Sequence, residues 1–82
     1  MTIDDMRYVL KIAECGGFTK AAQELYISQP TLSQRLQKVE KELGIRLFER
    51  NRFGEAAPTG AGQRFCAECK HILSHWDRLQ QE

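Results

Sequence analysis

The sequence predicts a mainly α-helical domain: three helices, a small β-hairpin and a longer final helix. Three observations carry this. Apolar residues recur at helical spacing in four stretches. Capping residues precede those stretches, and glycines close two of them. One short run around Leu47 is apolar and β-compatible, and turn-forming residues follow it. The 82 residues suffice for one small domain with one modest core.

Thr2 is placed to cap the first helix, with Asp5 three residues on in a capping-box position. Met6, Val9, Leu10 and Ala13 follow helical spacing, and Gly16-Gly17 ends the helix. Thr19 is the expected N-cap of the second helix. Its inner face is Ala21, Ala22 and Leu25, small enough for two backbones to approach closely. Ser28 caps the third helix, Pro30 lies in its first turn where a missing N–H costs nothing, and Gly44 stops it. Ile45 to Glu49 reads as one strand of a hairpin. Asn51-Arg52-Phe53-Gly54 is its turn, and Ala56-Ala57-Pro58 returns as a very short or edge strand, because proline cannot donate to a ladder.

Thr59 is placed to cap the last helix, although Gly60 and Gly62 weaken its first turn. Phe65, Cys69, Ile72, Trp76 and Leu79 then recur at alternating steps of four and three. With Leu73 beside them they form a heptad-like seam suited to a partner helix, here a second copy of the chain. Gln80-Gln81-Glu82 carries no stop signal, so the chain reads as a piece of a longer protein.

The third helix has the most telling surface. Wound at about 100° per residue, it puts Leu32, Leu36, Val39 and Leu43 on one stripe. Gln29, Ser33, Gln34 and Gln37 fall opposite, with Pro30 and Lys41 among them. A helix that meets only water usually carries Glu and Lys there, spaced for ion pairs. Amides and hydroxyls both donate and accept, which suits the base edges of a DNA major groove. The formal net charge of +1 is low for a nucleic-acid binder. Its distribution is not even: from Gln29 to Phe53 the cations Arg35, Lys38, Lys41, Arg46, Arg50 and Arg52 outnumber Glu40, Glu42 and Glu49.

The acidic start resembles no signal peptide, and no apolar run approaches the ~20 residues of a membrane span. Three cysteines make no disulfide framework, so a reducing cytoplasm is the expected compartment. Cys66 and Cys69 with His71 and His75 have a zinc-like spacing. On a helix, however, the cysteines share one side within about 60° and the histidines point to roughly the opposite side, so no metal is expected. Lys70 occupies the place where haem attachment needs His. No nucleophile–base arrangement and no phosphate-cradling glycine loop occurs, so neither catalysis nor a cofactor is expected.

The run Ala21-Ala22-x-x-Leu25-x-x-Ser28-Gln29-Pro30-Thr31-Leu32-Ser33 is similar to the helix-turn-helix signature of LysR-type transcriptional regulators. Leu43-Gly44-x-x-Leu47-Phe48-x-Arg50 and Thr59-x-x-Gly62 resemble the same family, in the same order. The resemblance implies a mainly α, winged helix-turn-helix domain over residues 1–58 and a linker, or dimerisation, helix over residues 59–82. It also implies a C-terminal effector-binding domain outside this chain, the only part for which a small-molecule effector is expected. The segment from Phe53 to Thr59 departs from the family: it is less basic, slightly longer, and has Pro58 where Leu is usual. Gln34 stands where a cation is common.

On this reading the helix 28–43 enters the major groove. Gln29 is the foremost base-edge candidate, since the first residues of a recognition helix reach deepest, and Ser33 and Gln37 follow. Pro30 and Thr31 suit a thymine methyl. Ser28 and the N–H groups beside it suit a phosphate. Gln34 lies on the same face. Thr19 and Lys20 begin the helix that crosses the backbone, with plain capping the alternative for Thr19. Arg35 and Lys38 flank the polar stripe and face either phosphates or nearby acids. Arg50 and Arg52 are the wing cations, Arg50 expected to anchor a phosphate. The partners expected are therefore duplex DNA with a roughly palindromic site and a second copy of the chain, but no membrane. A protein-interaction module using only the Phe65–Leu79 stripe is the competing reading.

Overall fold

Thr2 opens helix α1 (Ile3–Cys15) with a complete capping box: its hydroxyl accepts from the Asp5 N–H, and the Asp5 carboxylate accepts from the Thr2 N–H. Gly16, at φ +73°, closes the helix in the left-handed conformation that glycine adopts without penalty. This computed structural model describes residues 1–81. After α1 come α2 (Phe18–Leu25), α3 (Gln29–Leu43), strands β1 (Phe48–Arg50) and β2 (Ala56–Pro58), and α4 (Gly60–Gln81).

Helix α2 does not begin as its sequence predicts. Gly17, not Thr19, is the N-cap, and no side chain caps the helix. The reason lies in the wing. Gly17 pairs with Glu55 as an isolated bridge, the Phe18 N–H donates to the Gly54 carbonyl at 3.1 Å, and the Ala56 N–H donates to the Gly16 carbonyl at 2.9 Å. A backbone partner thus satisfies the helix start, and Thr19 moves into the first turn, its hydroxyl no longer needed as the cap. A side chain at Gly17 would collide with the Gly54 carbonyl, its Cβ only 2.7 Å away.

Helix α3 follows its sequence: Ser28 is the N-cap, proline sits in the first turn, and Gly44 ends the helix in the left-handed region. The turn before it holds Tyr26 at φ 59°, a conformation that costs a bulky residue energy. Strand β1 is shorter than expected. It starts at Phe48, not Ile45, and pairs antiparallel with β2 in the register Phe48↔Pro58, Glu49↔Ala57, Arg50↔Ala56. Upstream of it the Ile45 N–H turns back to the Glu40 carbonyl and the Leu47 N–H to the Glu40 carboxylate, so neither donor is left for a ladder.

The core joins every element. Val9 and Ile12 of α1, Ala21 and Ala22 of α2, and Leu32, Leu36 and Val39 of α3 meet Leu47 and Phe48 beneath the hairpin. Fully burying such a large apolar side chain contributes about 1.5–3 kcal/mol. Helix α4 is part of this core. Thr59 caps it, accepting from the Gly62 N–H at 2.9 Å. Gly62 lies so close to the Leu47 carbonyl that a methyl group there would overlap it.

The expected seam on α4 divides in two. Cys69 and Leu73, assigned from sequence to a contact between copies, are buried within the chain beside Cys66. Ile72, Trp76 and Leu79 are 42, 39 and 66 % exposed. The apolar surface of α4 is wider than one heptad seam. Cys66, Cys69 and Leu73 lie on one side of it and Ile72, Trp76 and Leu79 roughly 90° away around the helix. Helix α1 packs along α4, and Arg7 pairs with Asp77 at 2.7 Å across the two helices. Phe65 is half-buried against the core.

Candidate nucleic-acid interface

The outer face of α3 is polar and open. Gln29, Pro30, Thr31, Gln34, Gln37 and Lys38 are exposed and Ser33 is half-buried. Ser28 caps this end: its Oγ accepts from the Thr31 N–H at 3.2 Å and donates to the Thr31 hydroxyl at 2.7 Å. The same turn leaves the Gln29 side chain free to lean toward α2. There the Thr19 hydroxyl donates to Gln29 Oε1 at 3.3 Å. The wing turn closes the junction: a Cβ on Gly54 would lie 3.7 Å from Thr19 Oγ1 and 3.9 Å from Gln29 Nε2. The start of α2, the start of α3 and the wing therefore meet at one place, with Lys20 exposed beside it.

Asn51 shapes the wing. Its Oδ1 accepts from the Phe53 and Glu55 N–H groups at 2.9 and 3.1 Å, and its Nδ2 donates to the Glu55 carboxylate at 2.8 Å. Gly54 follows at φ 80°. The turn projects Phe53, 73 % exposed, with the Arg52 guanidinium 5.1 Å from its ring centre.

Two of the expected phosphate cations have partners within the chain. Arg35 donates to Asp5 Oδ1 at 3.1 Å and lies over the Tyr8 ring, 5.6 Å from its centre. Asp5 is only 3 % exposed, so Arg35 answers a charge buried at the start of α1. Burial alone would raise the Asp5 pKa. Hydrogen bonds from the Thr2 N–H, Arg35 and the Thr2 hydroxyl, with the Arg35 charge, outweigh it and hold the carboxyl below its ordinary value. Arg50 lies 4.5 Å over the Phe18 ring and 3.6 Å from Glu40. Among the described residues, Lys20, Lys38 and Arg52 form no ion pair.

Sequence reasoning missed Glu40. Its carboxylate accepts from the Leu47 N–H at 2.7 Å and faces Arg50, so it ties the end of α3 to the base of the wing. A clue was present: Glu40 is an acid on the most cationic segment, eight residues before the strand it braces.

On α4, Cys66 and Cys69 are buried while His71 and His75 are exposed. Burial pushes the Cys69 thiol up to about 11, helped by Cys66 and Glu68, which keeps it protonated and unreactive. Among the described residues, no group of three or more His, Cys, Asp or Glu is placed to hold a metal ion, and no helix is long and apolar enough to cross a membrane.

The model of the bacterial regulatory helix-turn-helix protein, lysR family, matches residues 3–63. The chain is 43 % identical over its whole length to the uncharacterized HTH-type transcriptional regulator YcgK of Bacillus subtilis, and covers 25 % of that protein. It is 39 % identical, over 90 % of its length, to the HTH-type transcriptional regulator TfdT of Cupriavidus pinatubonensis, of which it covers 32 %. It thus spans a quarter to a third of these relatives. Among solved structures it is similar to the CbnR DNA-binding domain in complex with DNA, with a TM-score of 0.94 and 31 % identity, covering 99 % of this chain and 92 % of that one. The BenM DNA-binding domain bound to catB site 1 DNA gives a TM-score of 0.92 and 38 % identity, covering 99 and 89 %. Capped helix-turn-helix, braced wing and family match agree, and the chain belongs to the LysR family of bacterial helix-turn-helix regulatory proteins.

Proposed function

We propose that this chain is the sequence-specific DNA-binding domain of a LysR-type transcription regulator, acting by binding and not by catalysis. Helix α3 enters the major groove with Gln29 foremost, followed by Pro30, Thr31, Ser33, Gln34 and Gln37. Lys20, Lys38 and Arg52 meet phosphates, and the wing lies against the backbone or the minor groove. Residues 1–58 form the reading head. Residues 59–82 form the linker helix, which joins two copies over a roughly palindromic site through Ile72, Trp76 and Leu79. The effector would bind a domain outside this chain, and the regulator would work in the cytoplasm.

The observation that carries this reading is the junction of Thr19, Gln29 and Gly54. It gathers the ends of three elements on the exposed side of the domain, where no core residue needs them. The known DNA complexes of the similar CbnR and BenM domains support it. The test is selection of binding sites from a random duplex pool, followed by gel shift at increasing salt. Enrichment of an inverted repeat, with affinity falling steeply as salt rises, is the expected result. No duplex binding at low salt would refute it and favour a module that only binds protein.

A further inference from the structure

We propose that the Phe53 ring, at the tip of the wing, is an apolar DNA contact that reads the minor groove beside the bound site and favours A·T or T·A over G·C at one flanking base pair. The inference rests on the DNA-binding reading of α3 and gives the wing a reading side chain of its own.

Phe53 is 73 % exposed, although phenylalanine is ordinarily a core residue. Its backbone is held on both sides. Asn51 Oδ1 accepts from the Phe53 and Glu55 N–H groups, and the Asn51 N–H donates to the Glu55 carbonyl at 3.2 Å. Next in the chain, the Gly54 carbonyl accepts from the Phe18 N–H, and a Cβ on Gly54 would lie 3.9 Å from Gln29 Nε2. Consecutive Cα atoms are about 3.8 Å apart, so Phe53 stands one backbone step from that junction. A duplex seated on Gln29 lies within reach of the ring. Gly54 also adjoins Thr19, so the tip is on the α2 side of α3, where the duplex backbone runs in helix-turn-helix complexes.

Charge decides how the wing approaches. Glu49 and Glu55 are exposed on the hairpin, while Arg50 is engaged with Glu40 and Phe18. Laid flat, the hairpin would bring two carboxylates toward phosphates. The tip carries Arg52 and Phe53 instead, with the guanidinium 5.1 Å from the ring centre. A tip-first approach puts Arg52 near phosphates. The ring has nothing to offer a phosphate, so it meets deoxyribose and the minor-groove edge beyond, a groove in which apolar side chains are accommodated. There guanine differs from every other base by its N2 amino group. That group stands on the groove floor against an incoming ring, and a ring covering it supplies no acceptor. A·T and T·A lack it and present the same pattern there, so the preference has no orientation.

The test is gel-shift competition between duplexes that carry the selected site and, one flanking pair at a time, A·T, T·A, G·C or inosine·C. Inosine·C keeps the major-groove pattern of G·C and lacks the minor-groove amino group. At one flanking pair the wild-type chain is expected to bind A·T, T·A and inosine·C alike and G·C about tenfold more weakly. Phe53→Ala is expected to bind all four within about twofold, with an unchanged salt slope. Arg52→Gln is expected to keep the preference and show a slope shallower by about 1. Thermal unfolding checks each variant, and the inosine comparison needs the wild-type chain alone.

Equal weakness of G·C and inosine·C, no flanking preference, or a preference retained in Phe53→Ala overturns the proposal. So does its loss in Arg52→Gln with Phe53→Ala unchanged, which assigns it to the cation. In each case Gln29→Ala still loses the preference at its own base pair, and the DNA-binding reading of α3 stands. Unchanged preferences in Gln29→Ala, or no duplex binding by wild type, remove that reading and this proposal with it.

Discussion

Arg35 reaches back from α3 to Asp5 at the start of α1, and the 3.1 Å contact turns a residue of the exposed polar helix into a clamp between two helices. Asp5 already caps α1, so one buried carboxylate serves both the helix end and the interhelical pair.

Removing the guanidinium leaves that carboxylate without its charged partner. Arg35 is itself partly exposed, which screens the pair, so Arg35→Ala is expected to cost about 1–2 kcal/mol at neutral pH. Because the folded-state pKa of Asp5 is lowered, its contribution is present above the unfolded value near 4. It is lost as pH falls through the folded value. The gap between wild type and Arg35→Ala should therefore close on acidification below about pH 4, read from denaturant midpoints at several pH values.

Arg50 is expected to act as a strut of the wing. Its contacts with Phe18 and Glu40 make Arg50→Ala less stable by about 1 kcal/mol. The slope of log affinity against log salt should stay as in wild type; a slope shallower by about 1 would mark a phosphate contact and contradict the strut.

Gly62 is where α4 crosses the backbone of Leu47. A Cβ there would overlap the Leu47 carbonyl, a rigid neighbour, so Gly62→Ala must push the whole helix away. A loss of several kcal/mol is expected, in the range of severe overpacking. Circular dichroism on heating would detect it, and an unchanged melting temperature would contradict the close approach.

Tyr26 points the other way. It is 94 % exposed and sits at φ 59°, so its side chain contributes little packing and its backbone is strained. Tyr26→Asn keeps the turn with a residue that tolerates this conformation. It is expected to raise stability by about 0.5–1 kcal/mol in chemical denaturation.

Trp76 and Leu79 test the pairing of copies. If α4 joins two chains through its exposed stripe, Trp76→Glu or Leu79→Glu should shift sedimentation toward the monomer while the melting temperature hardly moves. A monomeric wild-type chain at high concentration would rule the stripe out as the joining surface.

The sequence carried most of the helices because their boundaries are local. Thr2 with Asp5, Ser28 with Pro30, and Gly44 each mark a helix end through contacts within a few residues. The exposed amide face of α3 was legible for the same reason, since a helical period needs no tertiary information. What escaped depends on distant partners. Thr19 lost its capping role because the wing, more than thirty residues later in sequence, supplies a carbonyl to Phe18. Arg35 pairs with Asp5, and Arg50 faces Glu40 and Phe18, partners too far away in sequence for spacing to reveal. Cys69 and Leu73 fit a heptad pattern, but periodicity cannot say that α1 of the same chain already covers them.

The pairing of Arg7 with Asp77, beyond the buried Cys69 and Leu73, extends the contact of α4 with α1. The helix is therefore a handle packed against the head from Gly62 to Asp77. In a pair of copies joined by their handles, the angle at which the handles cross would fix the distance between the two reading helices. Operator spacing would then be a matter of lever geometry, and changing it would require re-gripping the handles instead of loosening a joint.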